Sequence, residues 1–208
     1  MLKMWNKKRK LIVDIETDSL DATVIHVAVT KDIDTKEVRS FRNGKDFTAH
    51  IHSVPSVFIM HNGISFDAPV LNKFWNARIK VNDCIDTLLL SRLFSPIREK
   101  GHALDAWGIY LGCHKIHFND FEKYSEEMLK YCKQDVEVTE KTFYRLLEEG
   151  KDFSEESMVL EHEVQHIISK QIKVGFNFDL QKAQLLLADL MQRANDIQKE
   201  ITEKWLPV

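Results

Sequence analysis

At 208 residues and 24.3 kDa, the chain is one large domain or one domain with a small appendage. With 44% apolar and 29% charged residues, and only seven Gly and four Pro, it reads as globular with a sizeable core, which excludes collagen-like and low-complexity classes. Lys plus Arg number 29 against 32 Asp plus Glu, so the net charge of −3 excludes a histone-like polycation but not a local nucleic-acid patch.

The first half reads as α/β. Lys10–Ile15 is a β-branched apolar run of strand type, followed by a second over Val24–Thr30 and a third over Val38–Arg42. The polar turn Lys31–Lys36 joins the last two, and three sequential strands with a short connection predict an antiparallel meander. Val57–Met60 is a fourth strand, entered from Pro55. A helix is expected over Ser65–Phe74, with Pro69 tolerated in its first turn. Cys84-Ile85 is a very short strand, and Thr87–Phe94 a helix.

The second half reads as helical. Ala103–Leu111 precedes Gly112, and Ser125 caps a long helix reaching Glu149, with Gly150 beyond it. The spacing of Leu129, Cys132, Val136, Phe143 and Leu147 follows one helical stripe. A boundary is expected near Gly150–Glu155, dividing 1–153 from 154–208. Ser154 caps a helix with Leu160, Val164, Ile167 and Ile168 on one face, ending at Gly175. Asp179 caps a last helix whose Ala183, Leu187, Leu190, Ala194, Ile197 and Ile201 form a narrow seam. This hairpin either packs intramolecularly or docks on a partner.

Three groups of acids stand out. Asp14 and Glu16 end the first strand, where residues i and i+2 share a face. Asp67 closes the segment His61–Asp67 after the fourth strand, and Tyr131 and Asp135 lie at i, i+4 on the long helix. Each has an ordinary reading: a strand running into a loop, a helix-N-terminal acid, a solvated helix acid. Together they are less ordinary. Two like charges ~4 Å apart repel by ~4 kcal/mol at an effective dielectric of ~20. Without cations one acid would be driven toward protonation. With two divalent cations the cluster becomes an oxygen-rich site suited to Mg²⁺ or Mn²⁺ and to in-line phosphodiester displacement.

Asp14, Glu16, Asp67 and Asp135, with Tyr131 four residues before the last, resemble the tyrosine-type DEDD 3′–5′ exonucleases. LIVDIET, FIMHNGISFDAPVL, NDCIDTLLLSRL, HALDAWGIYLG and EEMLKYCKQDVEVT are together similar to the proofreading domain of family A DNA polymerases from short-tailed phages. The resemblance is dense over residues 10–150 and continues more weakly through LEHEVQHIISKQIKVGFNFD, which is similar to the helix opening the polymerase region. It implies an RNase H-like fold: a mixed five-stranded sheet flanked by helices, with a C-terminal helical hairpin. It implies a first metal held by Asp14, Glu16 and Asp135, and a second by Asp14 and Asp67. Tyr131 would orient the attacking water, its reference pKa near ~10 making it a poor base. Leu20, His61, Asn62 and Phe66 would flank the terminal nucleotide of a single-stranded 3′ end.

The leading expectation is a 3′–5′ exodeoxyribonuclease using two Mg²⁺ or Mn²⁺ ions and releasing nucleoside 5′-monophosphates from DNA. The alternatives are an RNA-trimming exonuclease and a non-catalytic polymerase-docking module. A chain stopping at Val208 leaves no room for a polymerase active site, which implies either a truncated piece or an exonuclease working with a separate polymerase subunit. The stretch between Ser95 and Gly101 is short relative to the phage enzymes.

Among the remaining features, Lys7–Lys10 reads as a solvated lead-in to the first strand or as a DNA-backbone contact. Asp86 reads as a helix cap, and His102 as structural or near the DNA path. Cys113, His114 and His117 lack a fourth zinc ligand, and Glu163-x-x-His166 lacks the second copy of a di-iron pattern. Three widely spaced cysteines imply reduced thiols in a cytosolic compartment, the host cytoplasm for a phage protein. No apolar run approaches 18 residues, so no membrane helix or membrane partner is expected. The basic N-terminus lacks the apolar core of a signal peptide.

Overall fold

The structure, a computed structural model, describes residues 8–205. Five strands form one sheet: β1 (Arg9–Thr17), β2 (Ile25–Asp32), β3 (Val38–Phe41), β4 (Ser56–Met60) and β5 (Cys84–Asp86). Their order is β3-β2-β1-β4-β5. The meander β1-β2-β3 is antiparallel, and β4 and β5 extend it in parallel from β1. This is the mixed α/β sheet expected from the strand pattern and the motifs.

The strands read as nearly continuous apolar runs because helices cover both faces. Alternation sends Ile12, Val27, Val29, Val57 and Ile59 to one core, with Leu90, Trp107, Met128, Cys132, Val136 and Phe143. These partners come from α3 (Thr87–Phe94), α4 (Leu104–Tyr110) and α5 (Glu126–Glu149). Leu11, Val13, Ile15, Ala28, Phe58 and Met60 face the other core. There they meet Phe47 and Ile51 of α1 (Gly44–Ile51) and Ala68 and Leu71 of α2 (Asp67–Trp75). Each fully buried aliphatic or aromatic side chain contributes roughly 1.5–3 kcal/mol.

Helix α1 is absent from the strand-and-helix pattern read above. Its signal is nonetheless local: Asn43 accepts from the Asp46 N–H, and Phe47 and Ile51 lie one turn apart. Helix α2 starts two residues later than expected, because a tight turn occupies the preceding residues. The N-cap of α5 is Ser125, which accepts from the Met128 N–H at 3.0 Å.

Of the basic run, Lys7 lies outside the described residues. Lys8 and Arg9 hold structure together. Lys8 pairs with Asp83 at 2.7 Å, and Arg9 donates to Ser56 Oγ and the His50 carbonyl.

The chain divides into two compact units, one reaching Lys170 and one from Gln171 onward. Helix α6 (Glu155–Val174) belongs largely to the first. Its Met158 lies in the first core, and Ser154 accepts from the Ser157 N–H. In the second unit, Asp179 caps α7 (Leu180–Lys204), accepting from the Lys182 N–H at 2.9 Å. No residue of α7 is buried, so its Leu187–Ile201 seam is exposed. Among the described residues no helix is long and apolar enough to cross a membrane.

Candidate active site

Asp14 and Glu16 have the same parity on β1 as Ile12, so they point to the face covered by α5. The ladder with β2 shifts register between Glu16 and Thr17, a bulge where the acids end the strand. From α5, Cys132 reaches back to this strand, its Sγ 3.3 Å from Asp14 Oδ2. Tyr131 and Asp135 flank it on the same helix. Asp67 is the first residue of α2, which places its carboxylate at a helix N-terminus. The helix-acid reading of Asp67 is therefore correct, and the residue also lies beside β1: the Ile15 backbone amide stabilises its charged form.

The four acids feel one another. Burial drives Asp14 well above the usual carboxylate range, and Glu16, Asp135 and Asp67 add to the shift. Burial, then Asp135, pushes Glu16 up to about 8, against the opposing charge of Lys115. Burial pushes Asp67 up to about 7, although backbone N–H groups of Asp67 and Ile15 oppose it. Burial raises Asp135 as well, with Lys115 opposing. Acids so placed disfavour their charged forms, and nearby cations would restore them.

The donor set fits a divalent cation. Asp135 is 4% exposed, and its Oδ1 is buried without any hydrogen-bond partner. An orphaned carboxylate oxygen costs a few kcal/mol unless something occupies it. Among the described residues, the ligating atoms of Asp14, Glu16 and Cys132 lie within 4.8 Å of one another, close enough for one ion. Three carboxylates and a thiol held protonated by burial favour a hard cation on the oxygens.

Three residues at the site carried no signal in the sequence. Cys132 read as core, and it is core, but its thiol also contacts Asp14. Lys115 Nζ donates to Asp135 Oδ2 at 2.5 Å and lies 4.9 Å from the Tyr131 ring centroid. Burial works to lower the Lys115 pKa, but the charge of Asp135 and hydrogen bonds to Asp135 and Tyr131 raise it overall. Phe121 packs edge-on against Tyr131 at 6.1 Å, beside Phe118 at 5.7 Å. Lys115 and Phe121 lie on the irregular segment 112–125, which has no periodicity to read.

The expected substrate residues divide into two pairs. Leu20, 91% exposed, and Phe66 line a cleft of about 330 Å³ with Glu16 and Phe121. His61 is instead tied to Thr87, its Nδ1 2.9 Å from the Thr87 hydroxyl, which also bonds the Met60 carbonyl. Burial, then the Lys115 charge, lowers its pKa to about 4, so it is neutral. Asn62 is exposed at φ 64°, a left-handed backbone that Asn tolerates. His102 is structural, bonded to Ser91 Oγ at 2.8 Å and to the Pro96 carbonyl.

Asp86 caps α3, accepting from the Leu88 N–H. It also accepts from the Asn62 and Ile64 N–H groups at 2.9 and 3.1 Å, and so clamps the turn that leads to Asp67. Gly63 sits inside this turn, where a Cβ would fall 2.3 Å from that of Met60.

No family model matches the chain. Among curated proteins it is similar to the DNA-directed DNA polymerases of Escherichia phage T7 and Enterobacteria phage T3. It is 28% identical to each, over 93% of this chain and 37% of theirs. The chain thus spans little more than a third of the length of these relatives. Among solved structures it is similar to Brucella melitensis NrnC bound to pGG, with TM-score 0.64 and 16% identity over 86% of this chain and 92% of that one. It is also similar to Exonuclease X in complex with 5′ overhanging duplex DNA, with TM-score 0.50 and 17% identity over 74% and 99%. The fold, with its sheet and flanking helices, is that of the RNase H-like exonucleases. The similarity to the phage DNA polymerases and the shared fold agree with the resemblance that the motifs carry.

Proposed function

We propose that the chain is a metal-dependent 3′–5′ exonuclease that removes nucleoside 5′-monophosphates from DNA 3′ ends. The observation that carries this reading is the convergence of four raised, mostly buried acids, one with a partnerless oxygen. Asp14, Glu16 and Asp135 hold one divalent cation, Mg²⁺ or Mn²⁺, and Asp14 and Asp67 hold a second. When bound, the pair lowers the pKa of the attacking water and neutralises charge on the leaving oxygen.

The chain's own residues do the rest. The Tyr131 phenol, raised in pKa mainly by burial, orients the water without deprotonating it. Lys115 holds Asp135 and Tyr131 in one arrangement through a shared ammonium group. Leu20 and Phe66, with Phe121, grip the unstacked terminal base in the cleft beside Glu16. The water oxygen bonds to phosphorus, the bond to the 3′ oxygen of the preceding nucleotide breaks, and that oxygen takes up a proton. The products are a 5′-monophosphate and a chain one nucleotide shorter.

Residues 1–153 are read as the exonuclease and 154–208 as the start of a polymerase-like region. The phage relatives support a polymerase context in the host cytoplasm, either in one longer chain or through a separate subunit. The test is a nuclease assay on 5′-labelled single-stranded DNA, duplex DNA and the matching RNA, with metal and with chelator. Metal-dependent shortening of the DNA from its 3′ end is expected. Digestion of RNA alone would move the reading to RNA trimming, and no digestion of either would overturn it.

A further inference from the structure

The Asp67 turn is held from two sides by one helix. On one side, His162 of α6 is 3% exposed, and its Nε2 accepts from the Asp86 N–H at 2.8 Å. Its Nδ1 faces the Met158 carbonyl at 2.7 Å. A backbone N–H can only donate and a carbonyl can only accept, so these partners fix a neutral ring protonated on Nδ1. The same Asp86 then binds the N–H groups of Asn62 and Ile64 with its two carboxylate oxygens. On the other side, Gln165 donates to Ser65 Oγ at 2.9 Å, and Ser169 Oγ lies 3.1 Å from the same hydroxyl. Ser65 is two residues before Asp67.

His162, Gln165 and Ser169 are spaced i, i+3, i+7 and form one stripe of α6. Each has a polar atom engaged with the turn or with its clamp. On the same helix Leu160 and Ile167 are exposed. A helix that served only to bury apolar surface would present those residues to the sheet instead.

We propose that the His162–Gln165–Ser169 stripe is a positioning element that fixes the placement of Asp67, and through it the competence of the metal site. Their hydrogen bonds described above go to the turn, its clamp and α6 itself rather than to the acids of the site. They act through Asp86 and Ser65 on the turn, and the turn sets where the first residue of α2 points. This rests on the exonuclease reading above, and it assigns to α6 a role in the nuclease site.

The experiment uses the full chain carrying His162→Leu, His162→Gln, or Gln165→Ala with Ser169→Ala. Leu keeps apolar volume but removes the acceptor; Gln supplies an acceptor oxygen near the position of Nε2. The half-buried Gln165 and Ser169 carry less folding risk than the buried His162, so this pair keeps the test valid if His162→Leu fails to fold. Amide hydrogen exchange and nuclease kinetics are measured on each. For His162→Leu and for the double variant, faster exchange at residues 62–66 is expected, with kcat reduced about tenfold and KM for single-stranded DNA changed less than about twofold. His162→Gln should recover most of both. Unchanged kcat in folded variants, or faster exchange with kcat intact, would overturn the proposal. So would a loss of kcat that His162→Gln fails to rescue. If the wild-type chain cleaves nothing, the exonuclease reading fails by itself, and the exchange data still decide whether the stripe holds the turn.

Discussion

Asp86 and Asp135 are both buried, and their surroundings are built in opposite ways. Asp86, 1% exposed, spends both oxygens on three backbone N–H groups. Asp135, 4% exposed, has one oxygen on Lys115 and the other on nothing. Burial raises the pKa of both. What separates them is satisfaction: the protein completes the shell of Asp86 with its own backbone and leaves one oxygen of Asp135 without a partner, where the proposed cation would sit. A buried acid with a full shell is a structural part, and one with an open shell is a binding part.

The largest effects should come from removing acids at each centre. Asp14→Ala with Glu16→Ala should lower nuclease turnover by about a thousandfold or more. The same double change should raise the melting temperature measured in chelator, since it deletes two acids whose charged forms burial disfavours. Asp86→Ala should do the reverse to stability. It strands the buried Ile64 N–H at about 1–3 kcal/mol and two half-buried N–H groups at less, for a loss of at least about 2 kcal/mol seen by chemical denaturation. If both variants lost stability alike, the contrast between the centres would be wrong.

Metal and pH sharpen the contrast next. In the folded, metal-free chain Glu16 and Asp67 keep their protons up to about 8 and about 7. Unfolded, they release them near ~4. Between those values the folded state binds more protons, so stability falls as pH rises from about 4 to about 8. Melting curves in chelator should therefore drop across that window. Saturating Mn²⁺ should close the gap, adding about 2.7 kcal/mol at a hundredfold excess over its dissociation constant. A melting temperature indifferent to metal at pH 8 would count against an open shell.

Smaller effects test the rim. Lys115→Met should cost about tenfold in turnover, equivalent to ~1.4 kcal/mol, and should weaken Mn²⁺ binding little. Leu20→Ala should raise KM for single-stranded DNA about threefold with kcat nearly unchanged. A fall in kcat instead would mean that the cleft shapes the reacting geometry rather than gripping the base.

Much of the fold was legible because its signals are local. The Thr87–Phe94 helix and the Ser125-capped helix are found where periodicity and capping put them. The strands of the meander agree to within a residue or two. Helix α1 had a cap and an apolar pair and went unread because it spans only two turns. Phe121 and Lys115 could not be read at all. They lie on an irregular segment, and their closeness to Tyr131 and Asp135 depends on how that segment crosses α5.

The sequence by itself determined the strand and helix types and the facing of Asp14 with Glu16, since both follow from alternation and helical period within a few residues. The resemblance carried by the motifs pointed to the kind of chemistry, since four acids brought together would call for cations. Only the tertiary structure decided which acids share a site, which oxygen is left open, and that α6 supports the turn before Asp67. Those outcomes depend on contacts between residues up to 100 or more positions apart. Burial and distance set them, and neither is written in any local stretch of chain.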